Sequence, residues 1–454
     1  MRTKQTSMLE GPLFSGIISY VIPIMLTSIL QLLFNATDMV MIGQFRGSDA
    51  VAAVGATGAL TNLILNLFIG LSVGVGVTVA HGLGGRQDTA VHRTVHTALL
   101  LSLVSGVILT VIGVTFSGRF LIMMGTDKDV LPLSTLYMKI YFGGITFTMV
   151  YNFCASILRA AGDTKSPLIF LIISGAANVV FNAIFIILFD MSVEGVALGT
   201  IISQAISAFL VVRALMRRTD ACKLELKKLR FHGKQLKKII SIGLPAGIQG
   251  SLFSISNVMI QSSVNSFGKV VMAGHAAAGN LDGFVYVIQN AFMQATVNYV
   301  GQNAGAHKFD RIKKVVRTCA MLVTVSGLLS GTLMWVFGRP LLSIYLPNNP
   351  AAVEWGMIRL MMIGIPYFLC GLMEVSTGSL RGIGDSMSAM VISVLGVCGL
   401  RIVWIMTVFK AFHTLDCLYF SYTVSWIAVA IAQFLAFVRV YKKKKNQYTP
   451  LQNV

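Results

Sequence analysis

Twelve long apolar segments follow one another along this chain, and they limit what it can fold into more than any other feature. A helix needs about 20 mainly apolar residues to cross the hydrocarbon core of a bilayer. Only 12% of the 454 residues are charged, whereas soluble domains contain about 25%. We therefore predict an all-α polytopic membrane protein with twelve transmembrane helices. The segments lie near residues 14–43, 49–80, 92–116, 133–157, 166–189, 192–216, 239–266, 270–300, 314–337, 353–378, 386–410 and 415–440.

An internal repeat divides these segments into two sets of six. The sequence LRAAGDTKS from Leu158 recurs as LRGIGDSMS from Leu380, an offset of 222 residues. LGGRQ from Leu83 aligns with AGAHK from Ala304 at an offset of 221. Because six helices return the chain to the same side, we expect two same-orientation six-helix lobes around a central cleft, as alternating access requires. The predicted lobes are residues 1–216 and 239–440, with a basic cytoplasmic connector at 217–238 and a basic cytoplasmic tail at 441–454.

The positive charge lies mainly in the short segments between apolar runs. A formal net charge of +19 would suggest nucleic-acid binding in a soluble protein. Here most of the 36 lysines and arginines fall on one side of the predicted membrane when the N-terminus, with Arg2 and Lys4, is cytoplasmic. Arg359 is among the few on the other side. This asymmetry follows the positive-inside rule, so we predict a multi-pass plasma-membrane protein with both termini cytoplasmic and no nucleic-acid partner.

Asp38 lies inside the first apolar segment, where a carboxylate costs roughly 2.5–3.5 kcal/mol on insertion scales. At a rise of about 1.5 Å per residue, Asp38, Asn182 and Thr200 lie at a similar depth. Asn178 lies one turn deeper than Asn182 on the same helix face. Such oxygen-bearing groups suit a bound Na⁺ or a carboxyl group that gains and loses a proton. The alternative is that the amides and Thr200 only bridge helices by hydrogen bonds.

Three motifs, taken with the repeat, are similar to those of one known family. They are the first segment with Pro23, Asp38 and Gly43, the Leu158-Arg159-x-x-Gly162-Asp163-Thr164-x-x-Pro167 loop, and Gly301-Gln302-Asn303-x-Gly305-Ala306. Together they resemble the multidrug and toxic compound extrusion (MATE) family of secondary transporters over essentially the whole chain. The resemblance implies that Asp38, Asn178 and Thr200 belong to a cation site in the N-terminal lobe. Asn182 stands where some members carry an acid, which leaves the identity of the ion, H⁺ or Na⁺, open.

Pro23 lies about four turns before Asp38, and Pro245 is its counterpart in the second half. Proline removes a helix hydrogen bond and permits bending. The resemblance implies that bending of the first helix is linked to the state of its acid, and a static kink is the alternative. The two copies of the LRxxGD loop are expected at the cytoplasmic mouth in a structural or gating role, where glycine permits the turn. Their principal residues are Arg159, Gly162, Asp163, Arg381, Gly384 and Asp385.

The second half does not copy the acidic site, because Ile260 stands where the repeat would place Asp38. Its buried acids are Asp282, expected near the midplane, and Glu374, nearer the cytoplasm. Asp282 resembles an acid that some MATE members use for cationic substrates. Both acids are candidates for substrate binding, and pairing with Arg401 is the alternative for either. Glu374 has Arg381 as a further possible partner.

The predicted cleft should offer flexible thioethers and aromatic faces, which suit varied apolar cations. Ordinary packing is the alternative for each such residue. The candidates are Met25, Phe34, Tyr151, Phe253, Tyr286 and Met293.

These features together predict a secondary antiporter that exports organic cations, drugs or other amphipathic compounds in exchange for H⁺ or Na⁺. The chain contains no Walker A sequence, so we expect no use of ATP and no enzymatic activity. We expect no cofactor, no metal beyond a possible Na⁺ at Asp38, and a monomer whose partners are small molecules and membrane lipids. The alternative function is a lipid-linked oligosaccharide flippase of the same superfamily. Such flippases tend to carry several basic residues in the cleft, whereas here only Arg401 lies well inside a predicted helix.

Overall fold

The computed structural model describes residues 8–347 and 349–448, and the regular elements of this part of the chain are all helices. Arg2, Lys4 and residues 449–454 of the predicted tail lie outside the described residues. The long helices correspond to the twelve predicted segments, so the all-α polytopic prediction is confirmed. They are α1 (Leu13–Arg46), α2 (Ser48–Gly84), α3 (Asp88–Met123), α4 (Leu131–Gly143 followed by Ile145–Ala160), α5 (Lys165–Leu188), α6 (Val193–Met216), α7 (Gly233–Asn265), α8 (Lys269–Gly305), α9 (Phe309–Val336), α10 (Pro350–Gly364 followed by Tyr367–Ile383), α11 (Ser386–Phe412) and α12 (Leu415–Tyr448).

Nine of these helices are long and apolar enough to cross a membrane, considering the described residues only. The number rises to eleven when each of the two bent pairs is counted as one span; α4 is bent by 48° and α10 by 42°. Helix α8 is the remaining member of the predicted set. It is 37 residues long, or about 55 Å, and among the described residues it carries more buried amide and ionisable side chains than any of the other eleven helices. These include His275, Asp282, Gln289, Asn298 and Asn303.

The repeat is visible in the backbone of the turns. Arg86 and His307, at the α2–α3 and α8–α9 turns, both adopt the left-handed region with φ of 53° and 56°. Gly162 and Gly384, in the two copies of the LRxxGD loop, have φ of 87° and 95°. A non-glycine residue with positive φ is uncommon, so its recurrence at equivalent positions indicates that the two halves fold in the same way.

The chain forms two compact units whose limits fall inside α1 and α7. Unit 1 consists of Leu26–Gly247, and unit 2 consists of residues 8–25 together with the described residues from Ile248 onward. In each of these two helices the division comes two residues after a proline, Pro23 in α1 and Pro245 in α7. Each unit therefore contains the first part of one long helix whose remainder belongs to the other unit.

In unit 1, the first part of α7 packs on α2 through facing glycines. A Cβ atom at Gly70 would lie 2.2 Å from the backbone nitrogen of Gly247, and one at Gly74 would lie 2.2 Å from the carbonyl oxygen of Ile239. No side chain fits in such a space, so the two backbones approach as closely as small residues permit. Ile239 is fully buried in the core that α2, α3 and α4 build around it.

In unit 2, residues 8–25 are held by α8 and α9. Tyr20 lies edge-on to Tyr299 with ring centroids 5.7 Å apart. The Asn303 Nδ2 donates to the carbonyl oxygen of Met8 at 3.1 Å, and the Arg311 guanidinium donates to the same oxygen at 3.2 Å. The start of the described chain is thus bound by both polar and aromatic contacts within unit 2.

Candidate functional site

The predicted cluster around Asp38 lies in unit 1 and joins α1 to α5. The Asn182 Nδ2 donates to the Asp38 Oδ1 at 2.6 Å and lies 3.4 Å from the Asn178 Oδ1. Asn178 and Asn182 are buried, and Asp38 is half-buried. Three of the four predicted residues are therefore linked in one hydrogen-bonded series, with a single carboxylate at its end.

Two glycines make room for this cluster. A Cβ atom at Gly199 of α6 would lie 2.0 Å from the Asn182 Oδ1, so only glycine leaves space for that amide. A Cβ atom at Gly175 of α5 would lie 1.9 Å from the ring of Phe34, which packs one turn before Asp38 on α1. The close approach of α1, α5 and α6 thus depends on small residues at the contact.

Arg46 fixes the end of α1 that lies beyond Asp38. Its Nη2 donates to the Asp190 Oδ1 at 2.7 Å and to the carbonyl oxygen of Ile186 at 2.6 Å. The Ile186 carbonyl belongs to a π-helical last turn of α5, Ile184–Leu188. These contacts attach the same two helices that the Asp38–Asn182 hydrogen bond joins.

The cluster is rich in oxygen atoms that make no hydrogen bond. Within the described chain, the Asn182 Oδ1 and the Thr200 Oγ1 are buried and have no hydrogen-bond partner. Thr200 follows Gly199, the residue against which the Asn182 amide packs. Tyr137 of α4, which the sequence reading missed, also interacts electrostatically with Asp38. Buried polar atoms without partners are rare in proteins, so the unpartnered oxygen of the Asn182 amide that binds the Asp38 carboxylate marks this cluster as a candidate site for a small cation.

In unit 2, Asp282 is bound to Arg359 rather than to Arg401. The Arg359 Nε donates to the Asp282 Oδ2 at 2.9 Å, and both side chains are buried. The Arg359 Nη1 lies 2.6 Å from the Nε2 of His275, and the His275 Nδ1 lies 3.0 Å from the Tyr419 hydroxyl. Arg359, which the charge count placed among the outer basic residues, is thus a buried partner of an acid.

Arg401 and Arg381 have partners of other kinds. The Arg401 Nε donates to the Ser425 hydroxyl at 3.0 Å, and its guanidinium carbon lies 4.0 Å from the ring centroid of Tyr422. The Arg381 Nη2 donates to the Gln249 Oε1 at 2.9 Å. Neither arginine forms an ion pair within 4.0 Å among the described residues, so the suggested pairing of Arg401 with either acid is wrong. Arg359, Arg381 and Arg401 are all buried.

Glu374 is the other buried acid of this unit. It forms no ion pair within the described chain, and it interacts electrostatically with Arg381 and with Tyr286. Tyr286 is 39% exposed, whereas Glu374 is buried. Met293 is buried on the same helix, α8.

The other predicted cleft residues have varied surroundings. Tyr151 is buried in unit 1, and its hydroxyl donates to the carbonyl oxygen of Pro167 at 3.3 Å. Met25 and Phe253 are half-buried and pack at the edges of two hydrophobic clusters of unit 2. Their role in binding substrate stays a prediction.

The aspartates of the two LRxxGD loops accept the same pair of hydrogen bonds. The Asp163 carboxylate accepts from the backbone N–H and the hydroxyl of Ser166 at 3.0 and 2.6 Å. The Asp385 carboxylate accepts from the same two groups of Ser388 at 3.1 and 2.8 Å. Each acid therefore caps the start of the next helix, while Arg381 turns away toward Gln249.

A row of polar side chains along α8 was not recognised in the sequence. His275, Asp282 and Gln289 follow one another at intervals of seven residues, a spacing that keeps side chains on nearly the same face of a helix. All three are buried. Gly371 of α10 faces the row, because its Cβ atom would lie 2.3 Å from the Gln289 Oε1. The seven-residue spacing is the signal that would have found this row.

No group of three or more His, Cys, Asp or Glu side chains able to hold a metal ion occurs in the described part of the chain. The six cysteines are all free thiols, and none forms a disulfide. The acid clusters of both units consist of single carboxylates with amide, hydroxyl or guanidinium neighbours. Such sites suit exchangeable monovalent cations or protons better than tightly bound divalent metals.

Comparison with known proteins agrees with this architecture. The model of the MatE family matches residues 23–184 and 245–407, so the two matched segments begin at Pro23 and Pro245, 222 residues apart. The probable multidrug resistance protein YpnP of Bacillus subtilis (strain 168) is 28% identical over 394 residues, which cover 86% of this chain and 87% of the relative. The probable multidrug resistance protein YoeA of the same strain is 27% identical over 392 residues, 84% of each chain.

The fold is also that of solved structures. The chain superposes with a TM-score of 0.90 on a structure described as an outward-facing conformation of a multidrug resistance MATE family transporter of the MOP superfamily. The identity is 20%, and the match covers 98% of this chain and 100% of that one.

Proposed function

Because this chain belongs to the MatE family of membrane transporters, we propose that it is a cation-coupled antiporter that exports organic cations, drugs or other amphipathic compounds by alternating access. Membership in this family makes it a multi-pass plasma-membrane transporter and not an enzyme, and such transport requires no cofactor. The relatives described as multidrug resistance proteins support the substrate class. We further propose that it acts as a monomer with both termini cytoplasmic.

The observation that carries the coupling proposal is the short hydrogen bond from Asn182 to Asp38. An ionised Asp38 accepts this bond, and protonation or Na⁺ binding changes what its oxygens accept. Because no lysine or arginine forms an ion pair with Asp38 in the described chain, a mobile cation is the group that neutralises it. Occupancy by H⁺ or Na⁺ is therefore expected to change the contact between α1 and α5.

Helix α1 is the element through which we propose that this change acts. Its residues up to Met25 belong to unit 2, and its residues from Leu26, including Asp38, belong to unit 1. Pro23 removes one backbone hydrogen bond near that division. We expect a changed contact at Asp38 to move the part of α1 that belongs to unit 1, with Pro23 as the point where the helix bends.

For the organic cation, Glu374 is a better candidate than Asp282. The Asp282 charge is already balanced by Arg359 at 2.9 Å, whereas Glu374 has no ion-pair partner within the described chain and an exposed aromatic neighbour in Tyr286. A carboxylate beside an aromatic face suits an apolar cation. The buried arginines of unit 2 are each bound by a protein group, which favours export of cations over the flippase alternative.

The test is efflux of a fluorescent organic cation from cells or proteoliposomes, with the pH and Na⁺ gradients imposed separately. Asp38→Asn keeps the size of the side chain and removes its charge, so gradient-driven efflux should fall at least tenfold. Asp129→Asn, at an exposed acid of unit 1 without an ion pair among the described residues, is the matched control and should retain efflux. Wild-type rates in Asp38→Asn would refute the coupling role, and the gradient that drives wild-type efflux identifies the ion.

A further inference from the structure

The connector between α6 and α7 is held against the rest of unit 1 by its buried side. Cys222 and Leu224 are almost completely buried, and the Leu224 backbone N–H donates to the carbonyl oxygen of Leu215 at 3.1 Å. The Glu225 backbone N–H donates to the Nε2 of His96 on α3 at 3.1 Å. Although the connector contains only a short 3₁₀ turn of regular structure, these contacts give it a defined inner and outer face.

The outer face is strongly basic. The connector contains two acids: Asp220 pairs with Arg218, and Glu225 pairs with Lys228 at 2.6 Å. Six of the seven other basic residues of the connector are exposed and form no ion pair within the part of the chain that the structure describes. These are Arg217, Lys223, Lys227, Arg230, Lys234 and Lys237.

Large apolar side chains lie between these basic residues. Leu226 is 48% exposed and Phe231 is 43% exposed. Both are in the short stretch between the last residue of α6, Met216, and the first of α7, Gly233. Because α6 and α7 are both long and apolar enough to cross a membrane, the stretch that joins their ends lies at a membrane surface.

We propose that the outer face of the connector is a binding surface for anionic phospholipid headgroups of the adjacent leaflet. The unpaired lysines and arginines match the phosphate charge, and Leu226 and Phe231 reach the boundary between headgroups and acyl chains, as in interfacial segments. Arg93 of α3, which interacts electrostatically with His232, extends the basic surface. Two acids outside the connector, Asp88 and Asp163, also interact electrostatically with its Cys222 and Arg218.

A lipid bound here would hold the connector and the first part of α7 together against the rest of unit 1. This role differs from transport, because none of these residues belongs to the Asp38 cluster or to the acids of unit 2. A test of lipid binding does not depend on which side of the membrane the connector faces, since binding can be measured with purified protein.

The experiment titrates purified protein in neutral detergent with phosphatidylglycerol, and separately with phosphatidylcholine, and measures bound lipid by native mass spectrometry. Wild type should prefer phosphatidylglycerol, and the preference should weaken as salt increases. The triple variant Lys227→Gln, Arg230→Gln, Lys234→Gln should bind phosphatidylglycerol on the order of 100-fold more weakly, since each basic residue contributes a factor of about five. The single variant Phe231→Ser should reduce the binding that persists at high salt.

The matched control removes three exposed basic residues from elsewhere in unit 1, with the changes Arg119→Gln, Lys128→Gln and Lys139→Gln. It loses the same charge and should keep the wild-type preference. The unfolding temperature without added lipid should be the same in all variants, which separates lost binding from lost folding. Equal binding of the two lipids by wild type, or equal losses in both triple variants, would overturn the proposal.

Discussion

Replacing Arg359 with methionine tests whether the Asp282–Arg359 ion pair stabilises the fold or whether Asp282 instead serves to bind substrate. The two groups lie 2.9 Å apart and are buried. At an effective dielectric constant of 20, their attraction amounts to about 6 kcal/mol, most of which offsets the cost of removing both charges from water. Arg359→Met keeps the approximate length of the side chain but leaves Asp282 buried and unpaired. The free energy of unfolding should therefore fall by about 3–5 kcal/mol.

A double-mutant cycle separates the interaction energy of the pair from the effects of the two single changes. Asp282→Leu alone leaves the arginine charge buried and should destabilise to a similar degree. The double variant removes both charges, so it should recover most of the loss. The remaining deficit should be about 1 kcal/mol for the hydrogen bond to His275. The free energy is measured by denaturant titration in mixed micelles.

Wild-type stability of Arg359→Met would refute this stabilising role, because Asp282 would then not depend on its partner. Single losses that simply add in the double variant would refute it as well. Efflux of an organic cation supplies a second readout. The double variant should transport it, since the proposed cation contact is Glu374.

Two further predictions concern the helix caps and the buried side of the connector. Asp385→Ala and Asp163→Ala should each lower the free energy of unfolding by about 0.5–2 kcal/mol, because each removes a cap from the next helix; the corresponding asparagine variants should lose less, and equal losses for alanine and asparagine would contradict capping. Burial raises the pKa of the Cys222 thiol to about 12, so its thiolate fraction is very small at neutral pH and grows only as the pH rises toward that value. In single-cysteine variants, maleimide should label Cys222 far more slowly than the half-buried Cys417 at pH 7, with the difference abolished in denaturant; rapid labelling of folded Cys222 would disprove the buried anchor of the connector.

The fold followed closely from the sequence because it depends on features that a sequence displays directly. The length of each apolar run sets the helix, and the loops between runs contain the turn residues. The offset between the halves also predicted equivalent turns, and the matching left-handed residues Arg86 and His307 confirm it. What the repeat did not reveal is that α1 and α7 are each divided between the units, because that division depends on packing rather than on hydropathy.

The candidate site was predictable where it depended on depth along a helix. Asp38 and Asn182 were expected at one level, and they are in contact. The Asp282–Arg359 contact, between residues 77 apart in sequence, depends instead on how α8 and α10 are rotated and on the 42° bend within α10. The charge count placed Arg359 on the outer side of the membrane, whereas the packed structure shows it buried against Asp282. Tyr137 was missed because its interaction with Asp38 also depends on how the helices pack.

Because residues 8–25 belong to unit 2, their native contacts can form only late in synthesis. Asn303, which binds the carbonyl oxygen of Met8, is made 295 residues later, or roughly 15–60 s later at typical elongation rates of about 5–20 residues per second. Unit 1 has all of its sequence once Gly247 has been added, whereas the earliest part of the chain waits through that whole interval for α8 and α9. The nascent N-terminal segment must therefore be kept from wrong partners until the second half enters the membrane, and a truncated product that ends before α8 would leave Tyr20 and its neighbours without their native contacts.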